Sequence, residues 1–285
     1  MLPLLIVMLS LPLSAQKVTR RIFVSAVDAS GAPVLDLAPG DFQVTENNSK
    51  RDVTRMVLGN KPLRVVLLVD SSTAMGPMLA SFRTALTTFF DTLPAPHEIA
   101  FISSGGQLRV RTQPTADREL LKSALGKFAN DGGANAFLDT MLEADRRFLK
   151  PAPEQWPVFV VITTDRGETQ REPNIDEYNR FMNDFLARGG AAHGVVVVGR
   201  GSGLVSELLA NVTDNMGGLR FTINTDNVLP ARVKDIAERL VADYKRMENR
   251  YQIEYTGDGS AKVPVVNIGV SRPGVQVQMS PRRPF

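Results

Sequence analysis

Residues 63–72 read LRVVLLVDSS, an almost unbroken apolar run that ends in an aspartate and two serines. Such a run is typical of a central parallel strand, because a strand of this kind is buried on both faces. In open α/β sheets, ligands bind at the carboxyl ends of strands, near the point where the strand order reverses. The segment therefore predicts a central strand and a polar site that begins at Asp70.

The chain on the carboxyl side of this strand alternates between apolar strands and amphipathic helices. Apolar residues recur at helical spacing from Met78 to Leu93. We predict further strands at 98–103, 107–112, 158–164, 193–199 and 218–223, and helices near 117–128, 136–149, 174–188, 203–212 and 228–249. This order favours an α/β fold over residues 61–249, with a doubly wound, mostly parallel sheet and helices on both faces.

The two flanks of this region have a different pattern. Residues 16–60 contain short alternating strands such as RRIFVSAVDA, and residues 250–285 contain YQIEYT, VPVVNIGVS and VQVQMS. An isolated hairpin is only marginally stable in water. We therefore predict that the two flanks pair into one small β-sandwich.

Composition and the N-terminus restrict the functional classes. The 33 basic and 30 acidic residues nearly balance, which argues against binding to nucleic acid or to an anionic membrane. The absence of cysteine excludes disulfides, thiolate zinc sites and cysteine nucleophiles. Residues 1–15 are apolar and uncharged and end in Ser14 and Ala15, which predicts a signal peptide and an exported protein, periplasmic or secreted. This run is short for a transmembrane span, and if uncleaved it would act as an anchor.

A second carboxylate, Asp165, follows the apolar strand VFVVITT as Asp70 follows the first. Carboxylates and hydroxyls at adjacent strand ends suit Mg²⁺, which takes oxygen ligands and keeps several waters. In the alternative interpretation, both aspartates only accept hydrogen bonds from loop N–H groups and cap the following helices. The site would then bind no metal.

Three motifs together resemble the von Willebrand factor A family: Asp70-x-Ser72, the Gly132-Gly133 loop and the Thr164-Asp165 strand end. The flanking segments PGDFQVTEN (39–47) and IAERLVADYKRMENRYQIEYTGDG (236–259) resemble a bacterial exported subgroup of that family, in which β segments flank the A domain.

This resemblance implies a metal-ion-dependent adhesion site. The family's site uses Asp-x-Ser-x-Ser on a first loop, Thr on a second and Asp on a third, so it implies Asp70, Ser72 and Asp165 as Mg²⁺ ligands. Ala74 stands at the second serine position, and either Asn135 or, one residue earlier, Ala134 stands at the threonine position. Because an Asn carbonyl can coordinate a hard cation, we include Asn135 in the predicted site.

The implied function is a non-enzymatic module that binds a protein partner through these loops. A metal-free structural scaffold is one alternative, and EDTA would not weaken the binding of such a scaffold. A serine hydrolase using Ser71 or Ser72 is another, but a nucleophile needs a base within hydrogen-bond reach. Neither His97 nor His193 lies in a motif that would place it there.

Overall fold

The computed structural model describes residues 17–167, 169, 174–201, 203–259 and 264–279. The predicted signal peptide, residues 1–15, lies outside them. The chain divides into two compact units. The α/β unit comprises Asn60–Glu248, and among the described residues the flanking unit joins 17–59 to 249–279. Within the described ranges, no helix is both long enough and apolar enough to cross a bilayer.

The described residues form thirteen strands and six α-helices. The strands are β1 (Val18–Val27), β2 (Phe42–Glu46), β3 (Ser49–Arg51), β4 (Val53–Leu58), β5 (Leu63–Val69), β6 (Glu98–Ser103), β7 (Arg109–Thr115), β8 (Trp156–Gly167), β9 (Ala191–Gly201), β10 (Arg220–Ile223), β11 (Arg250–Gly257), β12 (Val266–Val270) and β13 (Gln276–Met279). The helices are α1 (Leu79–Thr92), α2 (Arg118–Gly126), α3 (Phe137–Ala144), α4 (Ile175–Ala187), α5 (Leu204–Met216) and α6 (Leu229–Glu248).

The α/β unit is built on a six-stranded sheet with the order β10-β9-β8-β5-β6-β7. All neighbouring strands are parallel except β6 and β7. The chain passes from β5 to β6 and β7 on one side, then returns to β8 on the other side of β5. The order therefore reverses between β5 and β8, where Val69 pairs with Ile162. This is the switch point at which open α/β sheets bind ligands.

Both faces of the sheet are covered. Val66 and Leu68 belong to a core that includes Phe159 on β8 and residues of α3, α4 and α5. The alternate residues Val65 and Leu67 are also fully buried, on the opposite face. Burial on both faces explains why β5 is almost entirely apolar, and the predicted doubly wound α/β fold is confirmed.

The flanking unit contains two small antiparallel sheets, β13-β1-β11-β4 and β12-β2-β3. Ile22 on β1 pairs with Ile253 on β11, and these side chains share one core with Phe42 and Val44 of β2. Each chain flank supplies strands to both sheets, so neither flank could bury this core alone. The predicted small sandwich formed by the two flanks is present.

The structure differs from the sequence prediction at the edge of the large sheet. The strand predicted at 107–112 runs from Arg109 to Thr115 and is antiparallel to β6. Its Pro114 is tolerated because an edge strand can leave one side unpaired. The last turn of the helix predicted at 136–149 is a π-turn, Asp145–Leu149, rather than α-helix. Periodicity cannot resolve such differences, because it reports burial and not hydrogen-bond partners.

Candidate functional site

Asp70 lies at the carboxyl end of β5 and is 1 % exposed. Its Oδ1 accepts a hydrogen bond from the Ser72 N–H at 2.8 Å. Its Oδ2 accepts from the Thr164 N–H at 3.1 Å and from the Thr164 hydroxyl at 2.5 Å. Burial raises the pKa of the Asp70 carboxyl, and the hydrogen bonds from Thr164 and Ser72 oppose that rise. Asp70 thus ties the first loop to the end of β8.

Asn135 supplies a fourth donor to the same carboxylate. Its Nδ2 donates to Asp70 Oδ2 at 3.2 Å, to Thr163 Oγ1 at 2.8 Å and to the Thr164 carbonyl at 3.3 Å. Its Oδ1 accepts from the Ser104 hydroxyl at 2.9 Å. A carboxylate and a carbonyl only accept hydrogen bonds, so these partners fix the NH₂ group toward Asp70. The Asn135 carbonyl therefore faces Ser104 instead of Asp70. This orientation speaks against the predicted role of Asn135 as a metal ligand.

Two other predicted site residues carry polar atoms without hydrogen-bond partners. Ser72 is 1 % exposed and Asp165 is 4 % exposed. Ser72 Oγ lies close enough to Asp70 to help stabilise its charge, but it has no hydrogen-bond partner of acceptable geometry. Asp165 Oδ2 accepts from the Ser206 hydroxyl at 2.6 Å, whereas Asp165 Oδ1 is buried without a partner. Buried polar atoms are usually paired, so we expect both atoms to bond to water or to a bound group.

An open cleft of about 420 Å³ lies at this end of the sheet. We call it the strand-end cleft, and its walls are Ser72, Thr73, Ala74, Gly133, Ala134 and Gly167. Of the two candidates for the threonine position, Ala134 forms part of the wall, and Asn135 is buried beneath it. The side chains of Ala74 and Ala134 thus offer the cleft no oxygen ligand.

Backbone contacts hold the loops around the strand-end cleft together. The Thr73 N–H donates to the Gly133 carbonyl at 3.1 Å, and the Asp131 N–H donates to the Ser71 carbonyl at 2.8 Å. A Cβ at Gly105 would lie 2.5 Å from the Ser71 carbonyl oxygen, so only glycine permits this close approach. The cleft is therefore held in shape by the loops themselves.

A charged cluster beside the cleft engages Ser71. Its hydroxyl donates to Asp131 Oδ2 at 2.7 Å and accepts from the Gly105 N–H at 2.9 Å. Arg111 pairs with the same Asp131 carboxylate. Although burial acts to raise the pKa of Asp131, the contacts with Ser71 and Arg111 lower it overall. A carboxylate with a lowered pKa is a poor general base, so this contact does not favour the hydrolase hypothesis.

The two histidines lie at the amino ends of their strands, away from Ser71 and Ser72. His97 Nδ1 accepts from the Leu63 N–H at 3.3 Å, at the start of β5. His193 Nδ1 accepts from the Leu219 N–H at 3.0 Å, near the start of β9. Burial lowers the pKa of each to about 4, and the charges of Arg118 and Arg239 add to this effect. Both are therefore structural histidines that stay neutral in the fold.

We expect the α/β unit to lose stability as the pH falls. The unfolded histidines titrate near pH 6.5 and the folded ones near 4, so their contribution is complete above about pH 6.5 and declines toward pH 4. The loss by pH 5 should be about 2 kcal/mol for each histidine. The single tryptophan, Trp156, lies in β8, so its fluorescence during denaturation reports on this unit.

His193→Asn is the matched control, because its side-chain oxygen can still accept from the Leu219 N–H. This variant should lose about 2 kcal/mol less than wild type between pH 7 and pH 5. Equal losses for both proteins would show that His193 is not responsible for the acid sensitivity.

Several residues that shape the site carried no sequence signal. Ser104 orients Asn135, and Ser206 on α5 binds Asp165. Thr164 belongs to the Thr164-Asp165 strand-end motif, but the sequence does not indicate its two hydrogen bonds to Asp70. Among the described residues, no three His, Cys, Asp or Glu side chains group closely enough to hold a metal ion without other ligands.

Comparisons with known proteins bear on the fold. No protein-family model and no curated protein matches the sequence. The chain is similar to a von Willebrand factor type A structure from Catenulispora acidiphila, with 17 % identity, a TM-score of 0.52, and coverage of 77 % of this chain and 50 % of that one. It is also similar to proximal thread matrix protein 1 from the mussel byssus, with 15 % identity, a TM-score of 0.52, and coverage of 71 % and 50 %.

A second structure of the mussel protein, with a zinc-occupied MIDAS motif, matches at 14 % identity and a TM-score of 0.51, with coverage of 71 % and 50 %. This chain thus spans half the length of each of these structures. Identities of this size bear on architecture alone. Together with the strand order and the switch point between β5 and β8, they show that the chain has the fold of the von Willebrand factor type A domain.

Proposed function

We propose that this protein is a non-enzymatic binding module that captures a protein partner at the strand-end cleft. The observation that carries the proposal is the pair of buried atoms at this end of the sheet, Ser72 Oγ and Asp165 Oδ1, which have no hydrogen-bond partner. Ser72 lines the strand-end cleft, and loops around a cleft over a rigid sheet are a usual basis for recognition.

The two aspartates at this end of the sheet favour a positively charged ligand group. Within the part of the chain that the structure describes, no lysine or arginine forms an ion pair with Asp70 or Asp165. The side chain of the neighbouring Arg166 donates instead to the carbonyls of Val198 and Asn224. Buried carboxylates without a counter-charge are costly, so a bound cation would stabilise them.

The residues at the cleft fit a divalent cation only in part. Ser72 and Asp165 would hold it, and Asp70 would act through water because protein donors occupy both of its oxygens. Mg²⁺ requires six oxygen ligands, and Ala74 and Ala134 supply none. When bound, Mg²⁺ would supply positive charge to the cleft. We propose a degenerate adhesion site that binds Mg²⁺ weakly, in contrast to the zinc-occupied motif of the mussel protein.

Residues 1–15 support the further proposal that the module acts outside the cytoplasm. A site-specific crosslinking experiment in the cells that produce the protein tests both proposals. A photo-crosslinking residue replaces Thr73, which is exposed on the cleft wall. We expect one discrete crosslinked protein, recovered from the periplasmic or secreted fraction.

Thr87 provides the matched control, because it is an exposed threonine on α1 away from the cleft. Crosslinking at Thr87 should give no such product, and Ala134→Arg, which fills the cleft, should abolish the product formed at Thr73. Equal crosslinking at both threonines, or a product that survives Ala134→Arg, would contradict partner capture at the cleft.

A further inference from the structure

We propose that the α/β unit has a second interaction surface, a groove between the end of α3 and α4 that binds an acidic side chain of a protein partner through Arg180. This groove shares no residue with the strand-end cleft. The proposal therefore goes beyond the function proposed for the cleft and does not depend on it.

The groove is open and has a volume of about 370 Å³. Its lining includes two buried apolar side chains, Leu142 of α3 and Phe181 of α4. The remaining lining residues are charged, three acidic and three basic: Asp145, Glu177, Asp184, Arg146, Lys150 and Arg180. We call this surface the helix groove.

All three carboxylates in the helix groove are already paired with a basic side chain. The pairs join the segment after α3 to α4 or to its C-cap residue: Asp145 with Arg188 at 2.7 Å, Glu177 with Arg146 at 3.1 Å, and Asp184 with Lys150 at 3.3 Å. Within the ranges that the structure describes, the Arg180 side chain donates no hydrogen bond and forms no ion pair. The groove therefore has one surplus positive charge, on Arg180.

The position of Arg180 on α4 places other cations near this surplus charge. Arg180 follows Glu177 by three residues and precedes Asp184 by four, so all three lie on one face of the helix. The basic partners of these two acids, Arg146 and Lys150, are 58 % and 47 % exposed. A carboxylate bound at Arg180 would thus lie between two further accessible cations.

The π-turn after α3 is what brings Lys150 to the helix groove. The Lys150 N–H donates to the Asp145 carbonyl, five residues earlier, at 2.9 Å. In an α-helix these two residues would lie about 140° apart around the axis, yet both line the groove. Such π-turns are frequent at functional sites. The departure from α-helix therefore adds a cation to this surface.

The chemistry of Arg180 favours a carboxylate as the bound group. Arg180 is exposed, so a partner can reach its guanidinium. A guanidinium presents its donors in a fixed fork that matches both oxygens of a carboxylate. Complementary charges across a protein interface guide the choice of partner and speed association. An acidic segment of a protein partner therefore fits the helix groove.

The test uses acetyl-Glu-Glu-amide as the acidic probe and acetyl-Gln-Gln-amide as its uncharged match. Amide shifts of the purified protein are recorded by NMR at low salt during titration with each peptide. We expect the acidic peptide to cause saturable shifts at Arg146, Lys150 and Arg180, with a Kd in the millimolar range, on the order expected for so few atoms. The uncharged peptide should bind at least about fivefold more weakly.

Two variants with the same change in net charge complete the test. Arg180→Gln removes the unpaired cation and should weaken binding of the acidic peptide at least about fivefold. Arg147→Gln is the matched control, because Arg147 pairs with Glu143 at 3.0 Å and does not line the groove. Its binding should stay within about twofold of wild type, since an exposed ion pair contributes little.

Three results would overturn the proposal: no saturable shift at the groove, equal binding of the two peptides, or equal losses in the two variants. Crosslinking at Thr73 tests the strand-end cleft separately. A failure of that experiment would reject the function proposed for the cleft and leave the helix groove as a binding surface.

Discussion

The double variant Ala74→Ser, Ala134→Thr should bind Mg²⁺ about a hundredfold more tightly than the wild-type protein, if each restored oxygen ligand contributes about tenfold. Both alanines line the strand-end cleft beside Ser72, so the new hydroxyls would enter the space where the wild type offers methyl groups. The wild type, with two free oxygen atoms, should bind Mg²⁺ with a Kd in the millimolar range.

Isothermal titration of Mg²⁺ into the EDTA-stripped proteins measures this difference. Asp165→Ala added to the double variant is the matched control, and it should remove the gain because it deletes a buried carboxylate oxygen that no described residue bonds to. Two outcomes would count against a degenerate adhesion site. One is tight binding by wild type, and the other is a double variant that binds no better than wild type.

Asp70→Ala should destabilise the α/β unit by about 4 kcal/mol. The substitution leaves two buried backbone N–H donors without an acceptor, those of Ser72 and Thr164, whereas Asn135 Nδ2 keeps Thr163 Oγ1 and the Thr164 carbonyl. Each buried donor left unpaired costs about 1 to 3 kcal/mol. The hydroxyl of Thr164 can rotate toward another acceptor, so its loss should add little.

Denaturation followed by Trp156 fluorescence measures this effect in the unit that contains the site. Asp165→Ala is the natural comparison, because Asp165 accepts a hydrogen bond only from the Ser206 hydroxyl among the described contacts. Its cost should stay below about 1.5 kcal/mol. Similar losses for the two variants would show that Asp70 is not the structural centre of these loops. With the expected result, Asp165 and not Asp70 is the position at which to test ligand binding.

The two aspartates thus share a place at the strand ends but differ in role. Asp70 is saturated by four hydrogen bonds, as the helix-capping alternative anticipated in part. Asp165 retains a free oxygen. The sequence left open whether these carboxylates bind a ligand or stabilise the loops. We propose that Asp165 belongs to the ligand site and that Asp70 stabilises the loops.

The sequence alone was enough to determine the architecture. The nearly continuous apolar run of β5 predicted a strand buried on both faces, and the spacing of Ile236, Ala237, Leu240 and Met247 predicted the long helix α6. Both patterns are local, because burial of a strand or of a helix face is written into residues that are neighbours in the sequence. The placement of Asp70 at a strand end followed from the same pattern.

The tertiary structure decided which atoms of the site are free. Asn135 and Thr164 contact Asp70 across 65 and 94 residues of sequence, and no local pattern shows that an amide NH₂ rather than a carbonyl faces the carboxylate. That Ala134, and not Asn135, lines the cleft depends on the path of a loop with left-handed backbone at Gly132 and Gly133. A hydrogen bond requires geometry to within a few tenths of an ångström, which only the folded arrangement of distant loops supplies.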